Sequence, residues 1–386
     1  MVVGKGLSVG GLEEAKQFWR GKRNLHLGGV QCRCTQGMGK AEKVSPIESP
    51  LLFEMDPEQA PEILTALGGI PLVVQTFRSL GLPASVQRHV HVKERQRGYD
   101  EATLVESFVV LNAAGGECLD DFARLREDPG LAELIGHPIP SPEAARHFLY
   151  QFHEEKNITA AKAHRGLGQV AYIPGEDQAL QGLGQVNRDL MAALGQRCAD
   201  QRMATVDLDS TIIESRKREA LPTYEGERGY QPMLAVWAEM NLVLADQFRD
   251  GNVPAIMDPL HVVQVAYAVL PPTVKRFYFR GDSACHEYRL IQWLRDERRA
   301  GGPPGFIGFA ISARMSEALH AAIVALPEAA WQAEKKDAED AEVRRDYAEV
   351  PFVPGERTEK KISSLCAMWR CECGSGKESC LGTAVR

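Results

Sequence analysis

The chain has 386 residues, 44% hydrophobic and 25% charged, enough for two or three domains with buried cores. No apolar run reaches the roughly 18 residues that a membrane-spanning helix needs, and Lys16 to Arg23 interrupts the N-terminus where a signal peptide would be apolar, so the reading is a cytoplasmic protein with no membrane partner. A formal net charge of −7 excludes a protein that coats nucleic acid through overall charge, while leaving local basic patches open.

Residues 1–48 are rich in glycine, hold no helical or strand period and carry more basic than acidic residues. They read as a disordered basic tail, or as an arm that touches DNA. Residues 49–160 have helical signals. Pro57 to Leu80 presents a broad apolar face broken at Gly68-Gly69, and Asp100 caps a helix bearing Leu104, Val105, Phe108, Val109 and Leu111. Leu131 to Ile135, a turn at Gly136, and a new helix opened by Ser141-Pro142-Glu143 trace the outline of a helix-turn-helix, although any helical hairpin has that outline. Arg146, His147 and Gln151 form its candidate DNA-reading face. The basic stretch Arg88 to Arg97 lies in the same region, with Arg95 and Arg97 as candidate phosphate contacts or as parts of a solvated loop.

Gln178 to Cys198 reads as a connecting helix, after which the pattern changes to that of a sheet domain spanning 178–361. Strands are predicted at Met203–Asp209, Met233–Trp237, Leu242–Ala245, Val274–Phe279 and Phe306–Ile311. Helices are predicted at Asp258–Leu270, Cys285–Arg298 and Arg314–Leu326. Three meandering strands followed by crossovers suit a mixed sheet of RNase H type, in an α+β or α/β fold, and no Gly-x-Gly-x-x-Gly marks a dinucleotide fold. Residues 328–361 are strongly charged, and periodicity vanishes over 362–386, which reads as an unstructured tail.

Two aspartates end predicted strands: Asp209 closes the first and Asp282 follows the fourth. In a sheet of RNase H type the first strand is central and the fourth lies beside it, so the two carboxylates would meet at one edge. Paired carboxylates repel unless a cation lies between them, and a site for two Mg²⁺ or Mn²⁺ ions is the chemistry that such a pair suits. Asp207, two residues back on the same strand face, is a third candidate ligand. Aspartate also ends strands for purely structural reasons, and that reading stays open.

Four ordered motifs add to this: Asp207-Leu-Asp-Ser-Thr211, Gly229-Tyr-Gln-Pro-Met-Leu-Ala235, Arg249-Asp-Gly-Asn-Val-Pro-Ala255 and Arg280-Gly-Asp-Ser-Ala284. With the helical region that opens at Ser49-Pro-Leu-Leu-Phe53, they resemble the DDE transposases of bacterial insertion sequences over residues 49–360. The resemblance implies an RNase H-like catalytic core and cut-and-paste DNA transposition. It implies an enzyme that binds terminal inverted repeats of double-stranded DNA as a homodimer, at the nucleoid, and joins freed 3′-hydroxyls to target DNA with Mg²⁺ or Mn²⁺. It makes Asp209 and Asp282 catalytic and metal-binding. Arg216, Lys217, Arg218, Lys275 and Arg276 become candidate phosphate contacts flanking the site, or ordinary surface charge, and Asn252 either lines the site or serves a turn.

The chain departs from the family at its third acid. The resemblance implies a glutamate in a Tyr-x2-Arg-x3-Glu-x6-Lys setting, and no stretch matches; Glu317 is only a topological candidate. The expectation is a chain truncated before that residue, incomplete at the C-terminus and catalytically defective. Two other readings stay open: a DNA-end-binding protein without catalysis, and a distinct metal nuclease of RNase H fold. Cys371, Cys373 and Cys380, with Cys366, resemble part of a zinc knuckle, but the closing pair is missing and the reading is against zinc.

Overall fold

The computed structural model describes residues 65–93, 97–166, 170–313, 316–333, 344–352, 364–372 and 380–385. The expected basic tail, the first part of the Pro57–Leu80 helix and Arg95 lie outside these residues.

The helical region contains α1 (Ile70–Ser79), α2 (Leu82–His89), α3 (Glu101–Ala113), α4 (Asp121–Arg126), α5 (Pro129–Ile135), α6 (Pro142–Tyr150) and α7 (Glu155–Gly166). Capping sets several of their starts. The Asp100 side chain accepts from the Thr103 N–H at 2.7 Å, Asp128 from Leu131 at 2.9 Å and Ser141 from Ala144 at 3.1 Å, each satisfying a first-turn donor that has no partner within its helix. Gly136 ends α5 at φ 78°, a left-handed conformation that costs glycine little. The helix, Gly turn and capped helix expected around Gly136 are therefore present. A polar cluster centred on the buried Glu106 ties this turn down: Glu106 on α3 accepts from Arg78 Nε at 2.9 Å and Nη2 at 2.6 Å, and lies 3.0 Å from His137 Nε2. Arg78 also donates to the Ile135 carbonyl. Ile70, Val74, Val110, Phe122, Leu131 and Ile135 form the apolar core around it.

The connecting helix α8 (Gln178–Arg197) begins where expected, capped by Asp177. Its glycines allow close packing on both sides. A Cβ on Gly182 would lie 2.1 Å from the His89 carbonyl oxygen, and one on Gly195 would lie 2.3 Å from the Pro271 side chain.

The sheet region holds β1 (Met203–Ser210), β2 (Ile213–Glu214), β3 (Leu221–Pro222), β4 (Arg228–Tyr230), β5 (Met233–Trp237), β6 (Leu242–Gln247), α9 (Pro259–Val269), β7 (Arg276–Gly281), α10 (Tyr288–Arg295), β8 (Ile307–Ser312) and α11 (Glu317–Val324). The spatial order β6-β5-β1-β7-β8 places the first long strand at the centre and the strand after α9 beside it. β1 runs antiparallel to β5 and parallel to β7, and β7 runs parallel to β8. This is the mixed, helix-flanked sheet expected from the order of elements. The core residues Val206, Leu208, Ala235, Trp237, Leu244, Val263 and Phe279 lie buried between its strands and helices.

Three differences from the sequence reading matter. The helix expected from Cys285 is split, because a short turn at Ser283–Cys285 precedes α10, whose start is capped by Glu287. A second sheet, ordered β2-β4-β3, fills residues 213–230 where no strands were expected; its strands are two or three residues long, too short to show a period. Finally, the stretch expected to be an unstructured tail contains β11 (Ser364–Glu372) and β12 (Cys380–Val385), which with β9 (Gln332–Ala333) and β10 (Arg344–Phe352) extend the main sheet from β8 in the order β12-β11-β10-β9. Cys366 and Cys371 fall on β11 and Cys380 on β12, while Cys373 lies outside the described residues.

Candidate active site

The β1–β7 register builds the site. Asp207 pairs with Arg280 and Leu208 with Gly281. Continuing that ladder by one residue brings Asp209, near the end of β1, level with Asp282, the first residue past β7. Side chains alternate along a strand, so Asp207 and Asp209 leave the face opposite Val206 and Leu208, which are in the core. Both terminal aspartates are exposed.

Local hydrogen bonds orient them. Asp209 Oδ1 accepts from the Ser210 N–H at 2.8 Å, and Asp282 Oδ1 from the Ala284 N–H at 2.9 Å. Asp282 is thus itself the cap of the Ser283–Cys285 turn. Gly281 makes this turn possible. A Cβ there would lie 2.5 Å from Cys285 Sγ, so only glycine lets the chain fold its buried cysteine back over the strand end.

Asp207 is committed elsewhere. Arg280 Nε donates to its Oδ1 and Arg280 Nη2 to its Oδ2, a bidentate pair with the two side chains 14% and 5% exposed. A carboxylate whose two oxygens are neutralised by a buried guanidinium is a poor ligand for a cation. The pair weighs against Asp207 as a metal ligand, whereas Asp209 and Asp282 are both exposed at their strand ends. Hard carboxylate oxygens at adjacent strand ends, open to water, suit an oxygen-seeking divalent cation whose remaining positions water would fill. Among the described residues, no group of three or more His, Cys, Asp or Glu is arranged to hold a metal ion. Glu317 is exposed in the first turn of α11, which Ser316 caps.

The second sheet grows from this same edge. Thr211 N–H donates to the Pro232 carbonyl at 3.1 Å, extending the β1–β5 ladder outward, and β2 begins four residues past Asp209. The loop after β6 supports it. A Cβ on Gly251 would lie 2.5 and 2.6 Å from the Leu221 and Gly229 carbonyl oxygens. Arg249, fully buried, spans that loop: it donates to Gln247 Oε1 and the Met257 carbonyl, both at 2.8 Å. Burial pulls the Arg249 pKa down to about 10, against the opposing pull of Asp258, so it stays a cation at neutral pH. Sequence reasoning found the Arg249–Ala255 motif but missed the role of its arginine and glycine, which is to join two sheets. Asn252 lies in the same loop.

The basic candidates divide. Arg216, Lys217 and Arg218 are exposed between β2 and β3, on the carboxylate edge. Lys275 and Arg276 are exposed at the opposite end of β7, six residues or about 20 Å of strand from Asp282, so they do not flank the site. Arg146, His147 and Gln151 belong to α6 in the helical region. Arg146 there pairs with Glu143 at 2.9 Å and Asp120 at 3.6 Å, His147 is exposed, and Gln151 closes the helix. Arg97 is exposed beside the undescribed residues that include Arg95. Tyr224, at the tip between β3 and β4, was not singled out from the sequence. A little burial, a hydrogen bond with Glu225 and the charges of Asp282 and Asp209 hold its phenol above the ordinary value.

Among solved structures, one similar to this chain is the piggyBac transposase synaptic complex with hairpin DNA, at 9% identity and a TM-score of 0.37 over 82% of this chain; the match spans 60% of that transposase chain. No curated protein sequence matches. The family model described as transposase DDE domain, group 1, matches residues 59–357, from the helical region through the sheet and its carboxylate edge. The chain therefore belongs to the DDE transposase family.

Proposed function

We propose that this chain acts at element ends in double-stranded DNA, binding terminal inverted repeats through its helical region as a homodimer and presenting the phosphodiester to Asp209 and Asp282. The observation that carries the reading is the parallel β1–β7 register, whose last pair, Leu208 with Gly281, is followed directly on each chain segment by an exposed aspartate. Mg²⁺ or Mn²⁺ held by Asp209 and Asp282 would supply Lewis acidity at the phosphoryl oxygens. The protein's own part is to hold the two carboxylates rigidly. Ser210 and Ala284 N–H groups fix their rotamers, and the Asp207–Arg280 pair one pleat below locks the two strands together. Arg216, Lys217 and Arg218 offset the negative field for an incoming phosphate backbone.

What limits catalysis is the third carboxylate. No segment of the sequence has the glutamate setting that the family resemblance implies, and two carboxylates hold a second ion poorly. On this reading the chain by itself binds DNA and does not cut it. The test is cleavage of DNA carrying the element's ends by the purified chain with Mg²⁺ or Mn²⁺. No cleavage, with binding intact, is expected. Cleavage that Asp209→Ala and Asp282→Ala both abolish would keep the pair and overturn the inactive reading, and Glu317→Ala would then be the first variant to examine. Cleavage indifferent to both aspartates would refute the site.

A further inference from the structure

The β3–β4 hairpin carries an aromatic ring that folding does not explain. Tyr224 is 76% exposed, yet it sits on a stiff mount. Thr223 N–H donates to the Glu227 carbonyl at 2.7 Å, and Gly226 N–H to the Thr223 carbonyl at 3.1 Å with Gly226 at φ 97°. Arg228 clamps the base of the hairpin, donating to the Ala220 carbonyl through Nε and Nη2 and to the Arg218 carbonyl at 2.6 Å. From below, the Gly251 backbone fits so closely against Leu221 and Gly229 that no side chain would be accommodated. The sheet that carries this hairpin is a direct outgrowth of the β1–β5 ladder at the Asp209 end, and it also bears the exposed cations Arg216, Lys217 and Arg218. The charges of Asp282 and Asp209 reach the phenol.

We propose that Tyr224 positions DNA by stacking its ring on an unpaired base next to the phosphodiester that lies over Asp209 and Asp282, with Arg216 and Lys217 holding the flanking phosphates. This rests on the DNA-processing reading of the same site. The chemistry follows from the surroundings. A carboxylate pair repels a phosphate backbone, so a strand must be gripped by something other than charge at that point. Every base offers a π-face, and an aromatic on a rigid support grips it whatever its identity. Duplex bases are already stacked on each other, so the occupant is a frayed or single-stranded end. The basic loop beside the ring meets the phosphates on either side of that base.

The experiment uses the full chain without divalent metal and a short duplex with a single-stranded overhang carrying 2-aminopurine; a blunt duplex of the same sequence is the control. The wild type is expected to quench the overhang fluorescence. Tyr224→Ala is expected to remove the quench and weaken overhang binding by roughly 5- to 100-fold, with blunt-duplex affinity unchanged. Tyr224→Phe is expected to keep both signals, because the ring and not the hydroxyl makes the contact. The exposed position allows the Ala variant to fold, which an unchanged circular dichroism melt verifies. Quenching and affinity unchanged in Tyr224→Ala, with DNA binding intact, overturn the stacking contact and leave the wider function standing. Loss in Tyr224→Phe equal to that in Tyr224→Ala overturns it in favour of the hydroxyl. A wild-type chain that binds neither duplex overturns both.

Discussion

Removing the Arg280 guanidinium tests whether the carboxylate edge is built on a buried ion pair. Arg280→Met removes the guanidinium that holds both oxygens of the Asp207 carboxylate, which is 14% exposed. At about 4 Å between charge centres and an effective dielectric of about 20, the lost attraction is about 4 kcal/mol. Breaking a buried pair from one side costs about 3–5 kcal/mol by the same logic, because the remaining charge stays desolvated. Against a total stability on the order of 5–15 kcal/mol, the single variant would lose a large share. Urea unfolding followed by tryptophan fluorescence is a suitable assay, since Trp237 pairs with Val206 on β1 and reports on this sheet. Asp207→Leu combined with Arg280→Met is expected to recover most of the loss, as apolar replacements of buried pairs often match them. A cost below about 1 kcal/mol for Arg280→Met, or a double variant as unstable as the single one, would refute the reasoning: the pair would not be what joins β1 to β7 at this level.

Gly251→Ala is expected to force the second sheet off its support and cost about 1–3 kcal/mol in thermal unfolding, because its Cβ meets two backbone carbonyls that cannot rotate away. Glu106→Gln is expected to cost about 1.5–3 kcal/mol through weakened bonds from Arg78, with the loss read in a urea melt of the helical region. Asp100→Ala removes a cap worth about 1 kcal/mol. The hydrogen bond from Thr103, opposed by partial burial, holds the Asp100 pKa below its ordinary value. Its stabilisation is therefore complete above the unfolded carboxylate pKa of about 3.9 and fades as pH falls through the lower folded value, so wild-type and variant stabilities should converge in acid. Replacing Arg216 and Lys217 by Ala should flatten the dependence of log K for DNA on log salt by about 0.9 per lost phosphate contact, measured by fluorescence anisotropy.

Chain-local features were legible in the sequence. Val206 and Leu208, alternating with Asp207 and Asp209, announce a half-buried strand ending in acid, and Ser141 with Pro142 announces a helix start, because periodicity and capping act over a few neighbouring residues. The order of strands and helices was enough to place β1 at the centre and β7 beside it, since crossover rules leave few arrangements. What only the tertiary structure decided were pairings between distant segments. Asp207 and Asp209 are the same residue type on the same face, two positions apart, and nothing local distinguishes them. Arg280, seventy-three residues on, does so by matching Asp207 in register and taking both its oxygens. Lys275 and Arg276 are near Asp282 in sequence, but an extended strand carries them to the other end of the sheet. The strands at 213–230 are too short to carry a period, and they exist because Gly229, Gly251 and Arg249 let two loops approach at backbone distance. Tyr224 became a candidate only through that approach, since an exposed ring in a polar loop has meaning only once its neighbours are known.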